Sequence, residues 1–189
     1  MKDFTQIIEE DIIKIGYIQG SNKVLFIKCG QGGSIYGYGN KYLDIALRVN
    51  ERCGCTVFIS ETLNDGKEAY EREMEVVRKL VGDTCRIYFL GISKGGLLLL
   101  WNGASNELAE RIVTVNAPLM INFHNRTRPA INKLGREALT MVYGIEDPSF
   151  KYVPFVSSDT NVQIIDGADH NLVGGKIGLD EIVEKLLSE

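Results

Sequence analysis

The sequence has no C-x-x-C pair, no cluster of basic residues, no long apolar run and only two histidines. Each shortage narrows what the chain can be. The four cysteines stand at 29, 53, 55 and 85. The close pair Cys53-Gly54-Cys55 has no second cysteine or histidine cluster to complete a metal site, and it is not the redox spacing. In or beside strands a free cysteine serves as a small apolar residue, so no metal is expected. A net charge of −4 without a Lys/Arg cluster lacks the basic face that a phosphate backbone requires, so no nucleic-acid partner is expected. The apolar stretch at 97–101 falls far short of the about 20 residues that span a bilayer. The start, M-K-D-F-T-Q, carries acids soon afterwards and no unbroken apolar segment. A secretory leader is therefore not expected, and a cytoplasmic location is. No repeat, low-complexity tract or proline-rich linker divides the chain. Its 189 residues suit one domain, 1–189, with a core that needs no disulfide or metal staple.

What is present is an ordinary globular balance, 44% apolar and 24% charged, arranged as alternating strands and helices. Residues 7–18, isoleucine-rich around Glu9-Glu10-Asp11, predict one or two short strands turning near the acids. K-V-L-F-I-K-C at 23–29 predicts a strand running into a glycine-rich loop at 30–34, then a helix over 38–52. Further strands are predicted at 56–60, 85–90, 111–116, 138–143 and 162–165. Asn64-Asp65-Gly66 marks a turn, and helices are predicted over 67–81, 94–104, 132–137 and 178–187. In the helix at 67–81, Glu71, Arg72, Glu73, Glu75, Arg78 and Lys79 read as a solvated face. The strands are continuous apolar runs, not period-two patterns. That predicts an α/β fold with a mainly parallel central sheet and helices on both faces, a three-layer sandwich. In such sheets chemistry gathers at the carboxyl ends of the strands.

The densest signal is R-I-Y-F-L-G-I-S-K-G-G-L-L-L-L-W at 86–101, an apolar strand, a G-x-S-x-G turn and an apolar helix in one run. This is the pattern of a nucleophile elbow. A serine on a sharp strand-to-helix turn is strained, and Gly91 and Gly95 leave room for the strand and helix around it. Ser93 is the candidate nucleophile; the plainer alternative is a glycine-framed turn in which Ser93 caps the helix. A serine hydroxyl needs a base, and the base needs a group to fix its tautomer. His124 and His170 are the two available histidines. The orienting acid belongs at a strand end between Ser93 and His170. Asp147, between Gly144 and Pro148, meets that condition; Glu146 is its nearest rival, and Asp166 and Asp169 read better as turn residues. Backbone N–H donors for an oxyanion are expected from Lys94, next after Ser93, and from Gln31 in Gly30-Gln31-Gly32-Gly33. That loop fails as a dinucleotide fingerprint, because Ile35 stands where the third small residue is required. No Walker lysine spacing occurs either, so no cofactor is expected.

Four stations, C-G-Q-G-G-S at 29–34, G-I-S-K-G-G at 91–96, G-I-E-D-P at 144–148 and D-G-A-D-H-N-L at 166–172, resemble the α/β-hydrolase superfamily in kind and order from residue 23 to the end of the chain. The resemblance implies Ser93, Asp147 and His170 as a catalytic triad, in the family's order of serine, acid, histidine. Members often carry histidine before the glycine of the first station, where this chain has Cys29. Many relatives insert a helical cap before the acid-bearing strand; here only 117–137 is available, enough for a short lid segment. Pro118, Leu119, Met120, Ile121 and Phe123 within it either line an acyl pocket or pack the core. The implied activity is cleavage of a carboxylic ester or thioester, a small-molecule substrate, through an acyl-enzyme. Acyl transfer and peptide cleavage use the same triad, and a non-catalytic binding protein on a hydrolase scaffold is the alternative from another class. Nothing in the motifs sets the acyl length or the oligomeric state.

Overall fold

The computed structural model describes residues 3–62, 67–156 and 158–188. One sheet contains eight strands: β1 (Gln6–Glu10), β2 (Ile13–Ile18), β3 (Ser21–Lys28), β4 (Cys55–Ser60), β5 (Arg86–Ile92), β6 (Ala109–Val115), β7 (Leu139–Gly144) and β8 (Asn161–Ile165). Their spatial order is β1-β2-β4-β3-β5-β6-β7-β8. β1 and β2 form a hairpin and β2 runs antiparallel to β4. Every other neighbour pair is parallel.

The inner strands are mainly apolar because both of their faces are covered, with Lys28, Thr56, Ser60 and Thr114 as buried polar exceptions. All six residues of β4 are buried, as are the last five of β3. Alternate side chains feed two cores. Leu25, Ile27, Val57 and Ile59 pack with α1 (Lys41–Cys53) and α5 (Leu179–Ser188). Val24, Phe26, Phe58 and Phe89 pack with α2 (Lys67–Val81), α3 (Lys94–Gly103) and α4 (Arg128–Ala138). The result is the expected three-layer arrangement. Among the described residues no helix is long and apolar enough to cross a membrane.

Several boundaries differ from expectation. The segment 38–40 is a 3-10 turn, with Gly39 and Asn40 both left-handed, and α1 starts only at Lys41. α4 begins four residues before the expected helix, with a proline in its first turn, and a π-helical turn (Phe123–Thr127) precedes it. Proline at a helix start needs no N–H and is already set for helical φ. A 3-10 segment, Phe150–Phe155, was not foreseen. The predicted turn at 64–66 lies outside the described residues.

One expectation on α2 is overturned. Glu73 does not belong to a solvated face; it is fully buried and forms an ion pair with Lys28, itself 3% exposed, and accepts the Ser60 hydroxyl. Its position explains this, because 69, 73 and 77 recur at helical spacing on the face that buries Ala69 and Val77. Charge in the sequence concealed an inward position. Burial pushes the Glu73 carboxyl up and the Lys28 ammonium down, while each partner opposes the other's shift.

Candidate active site

β5 ends at Ile92 and α3 begins at Lys94, so Ser93 alone makes the turn, at φ 52° and ψ −125°. Its N–H donates to the Val115 carbonyl at 2.7 Å, and its own carbonyl accepts the Leu97 N–H at 3.3 Å. The Ser93 hydroxyl does not cap α3. The flanking glycines are required by close approach: a Cβ on Gly91 would lie 2.3 Å from the Gly96 Cα, and one on Gly95 2.3 Å from the Cys29 carbonyl oxygen. Strand, loop and helix therefore touch backbone to backbone around Ser93.

Asp147 follows β7 and its side chain is fully buried, whereas that of His170, in the loop after β8, is 44% exposed. His170 Nδ1 hydrogen-bonds Asp147 Oδ2. Asp147 Oδ1 accepts the Ser149 N–H at 2.7 Å, and the Asp147 N–H donates to the Gly144 carbonyl at 3.0 Å. A carboxylate placed this way assigns the proton to Nδ1 and leaves Nε2 as the acceptor nitrogen. Glu146, one residue away, points to solvent. Asp169 does what a turn residue does, its Oδ1 accepting the Asn171 and Val173 N–H groups at 2.8 and 2.9 Å. His124 is exposed on the π-helical turn against the Phe123 ring.

The loop after β3 runs past Ser93 so closely that a Cβ on Gly30 would lie 3.1 Å from the Ser93 Cβ. The Gly33 N–H donates to the Gly30 carbonyl at 3.0 Å, and the Cys29 thiol donates to the Ser34 carbonyl at 3.3 Å. Burial pushes the Cys29 thiol up to about 12, so it stays protonated and acts as a strut for the loop. Gln31, Ser93 and His170 line one cleft of about 380 Å³ together with Gly30, Gly32 and Gly33. Lys94 is the first residue of α3 and is not among the residues that line the cleft. Among the described residues no protein acceptor takes the Gln31 or Lys94 N–H.

Within 117–137, Leu119 and Phe123 are buried in the α2/α3/α4 core, while Met120 and Ile121 are 41% and 48% exposed. None of the five apolar residues there lines the cleft. Trp101 Nε1 donates to Thr127 Oγ1 at 3.0 Å, which fastens the π-helical turn to α3. Cys53 is exposed and Cys55 buried. Among the described residues no group of three or more His, Cys, Asp or Glu is placed to hold a metal ion.

One residue of the site was overlooked in the sequence. Asn116 directly follows β6, is fully buried, and reaches both the His170 loop and the end of β7. Its sign was an asparagine directly after an apolar strand and two residues before Pro118, a place where side-chain amides bond backbone and left-handed φ is tolerated.

The sequence matches no family model and no curated protein. Solved structures, by contrast, superpose over nearly its whole length. Est1E from Butyrivibrio proteoclasticus is 14% identical, with 97% of this chain and 96% of that one covered at a TM-score of 0.68. XC6422 from Xanthomonas campestris, an α/β serine hydrolase without a lid, is 15% identical, with 97% and 91% covered at 0.66. Poly(aspartic acid) hydrolase-1 from Sphingomonas sp. KT-1 is 13% identical, with 100% of both chains covered at 0.66. Identities this low speak to architecture, and the architecture they share with this sheet and its helices is the α/β-hydrolase fold.

Proposed function

We propose that the chain is a single-domain serine hydrolase that cleaves a carboxylic ester or thioester. The supporting observation is that Ser93, strained at the apex of its turn, shares a cleft with His170, whose other nitrogen is bonded to the fully buried Asp147. Ser93 Oγ attacks the acyl carbon as its proton passes to His170 Nε2. His170 then gives that proton to the departing alcohol or thiol, leaving an acyl-Ser93. Water, deprotonated by the same imidazole, releases the acid and restores the serine. Asp147 holds the tautomer and stabilises the imidazolium, and the Gln31 and Lys94 N–H groups are aimed at the oxyanion, each worth about 10²–10³ in rate if such donors are removed. The hydrolase names of structural neighbours covered over 91–100% of their length point the same way. A fluorophosphonate probe tests the proposal: intact-mass and peptide analysis should find one adduct, on Ser93, and folded protein that stays unlabelled would sink it.

The cleft wall also bears on acyl length. Gly30, Gly32, Gly33 and Gly37 contribute backbone, and among the described residues the apolar surface is confined to Ile92 and the rings of Tyr42 and of Tyr38, which is 95% exposed. Burying a methylene contributes ~0.8 kcal/mol, but only where an apolar wall receives it. Across p-nitrophenyl esters from acetate to octanoate, kcat/KM should stay level or fall beyond butyrate. A steady rise of about fourfold per methylene, the equivalent of that energy, would show that another apolar surface receives the chain.

A further inference from the structure

We infer that Asn116 is a positioning residue for the proposed triad, its side-chain amide tying the loop that carries His170 to the end of the strand that delivers Asp147. The inference rests on the serine-hydrolase reading for its consequence, but its geometry stands alone. Asn116 is wholly buried and has φ 50°, a left-handed backbone that asparagine tolerates better than most residues. Its backbone N–H and both ends of its side-chain amide are engaged. The backbone N–H donates to the Val142 carbonyl at 2.9 Å, Oδ1 accepts the Gly144 N–H at 2.9 Å, and Nδ2 donates to the carbonyls of Asp169 at 3.2 Å and His170 at 2.9 Å. The amide has one orientation, because the Gly144 N–H only donates and the two carbonyls only accept.

These bonds close a ring. Asn116 Oδ1 holds the Gly144 N–H, the Gly144 carbonyl holds the Asp147 N–H, Asp147 Oδ2 holds His170 Nδ1, and the His170 carbonyl holds Asn116 Nδ2. Acid and base are thus tied through their side chains and again through the buried amide, beside the Glu146 N–H bond to the Ala168 carbonyl. His170 sits in a half-exposed loop whose start is held by that Glu146 bond, at 3.0 Å, but the Asn116 amide is what grips the backbone of His170 itself. Displacing a reacting group by about 1 Å costs about 100-fold in rate.

The test uses Asn116→Gly, which keeps the left-handed backbone without strain and deletes the amide, and Asn116→Asp, close in shape but with carboxylate oxygen facing the two carbonyls. The aspartate variant carries the experiment if the glycine variant does not fold. Val77→Ala, buried on α2 and outside the lining of the cleft, controls for general loss of stability. With p-nitrophenyl acetate, kcat should fall about 100-fold in both Asn116 variants while KM changes by less than about twofold, and Val77→Ala should keep its kcat. Two-bond proton–nitrogen NMR reads the imidazoles directly, with His124 as internal reference. His170 should be a single Nδ1–H tautomer in the wild type and a tautomer mixture in the variants. Wild-type kcat and an unchanged His170 tautomer in Asn116→Gly would overturn the inference. A His170 tautomer mixture in the variants, with wild-type protein inert to fluorophosphonate, would keep the tie and remove the hydrolase reading instead.

Discussion

Ser93→Ala is expected to lower kcat toward p-nitrophenyl acetate by on the order of 10⁶-fold, as when a triad nucleophile is removed, and to leave thermal stability where it was. The two halves of that result have one origin. At φ 52° and ψ −125° the backbone lies outside the regions that residues with a Cβ favour, and such strain costs of order 1–3 kcal/mol. Alanine keeps the Cβ and hence the strain, so only the hydroxyl is lost. Ser93→Gly removes both and should be the more stable variant by about 1 kcal/mol, though equally inactive. Paired with His170→Ala, Ser93→Ala should add almost nothing further, because a base without its nucleophile has no proton to take. Retention of a tenth of the wild-type turnover by Ser93→Ala would rule out Ser93 as the nucleophile.

The sheet was legible because parallel strands covered on both faces are apolar at most positions. V-L-F-I in β3, T-V-F-I in β4 and the run preceding Gly91 announce themselves without any partner in view. α2 was legible as a helix by its spacing, yet the environment of Glu73 was not, since a lysine 45 residues away in a strand decides it. The start of α4 was hidden for the opposite reason: its proline resembles a break until the chain is seen to enter the helix there.

At the site, the order of the four stations in the sequence already set Ser93, Asp147 and His170 after three separate strands, β5, β7 and β8. The sequence could not distinguish Asp147 from Glu146 by type, because both are carboxylates in the same turn. The Gly144–Asp147 turn makes the choice, turning Asp147 inward against His170 and leaving Glu146 in solvent. Asn116 escaped notice because its bonds reach residues 28, 53 and 54 positions away. No local pattern records such reach.

The buried Lys28–Glu73 pair yields the largest expected effect on stability. Lys28→Met leaves a buried carboxyl, and Glu73→Leu a buried ammonium, without its opposite charge and with the Ser60 hydroxyl still a partner, and breaking a buried pair from either side costs about 3–5 kcal/mol. The double variant Lys28→Met/Glu73→Leu should recover to within about 1 kcal/mol of wild type or exceed it, since neither charge must then be desolvated. Urea unfolding at neutral pH of the wild type, both single variants and the double variant measures this; losses that simply add would show that the two side chains do not depend on each other. The pH dependence has a definite sign. In Lys28→Met the buried Glu73 carboxyl, already pushed up by burial in the wild type, loses the ammonium that opposed the shift, so its folded value stands well above its unfolded one. Stability from such a group is complete below the unfolded glutamate value of about 4.3 and is lost as pH rises through the folded value. The deficit of Lys28→Met should therefore be smallest near pH 4 and widen toward neutrality. Because Lys28 directly precedes Cys29 and Gly30, and its carbonyl oxygen would lie 2.5 Å from a Cβ on Gly95, loosening this pair also loosens the wall against which Ser93 is set, and kcat in the single variants should fall together with stability.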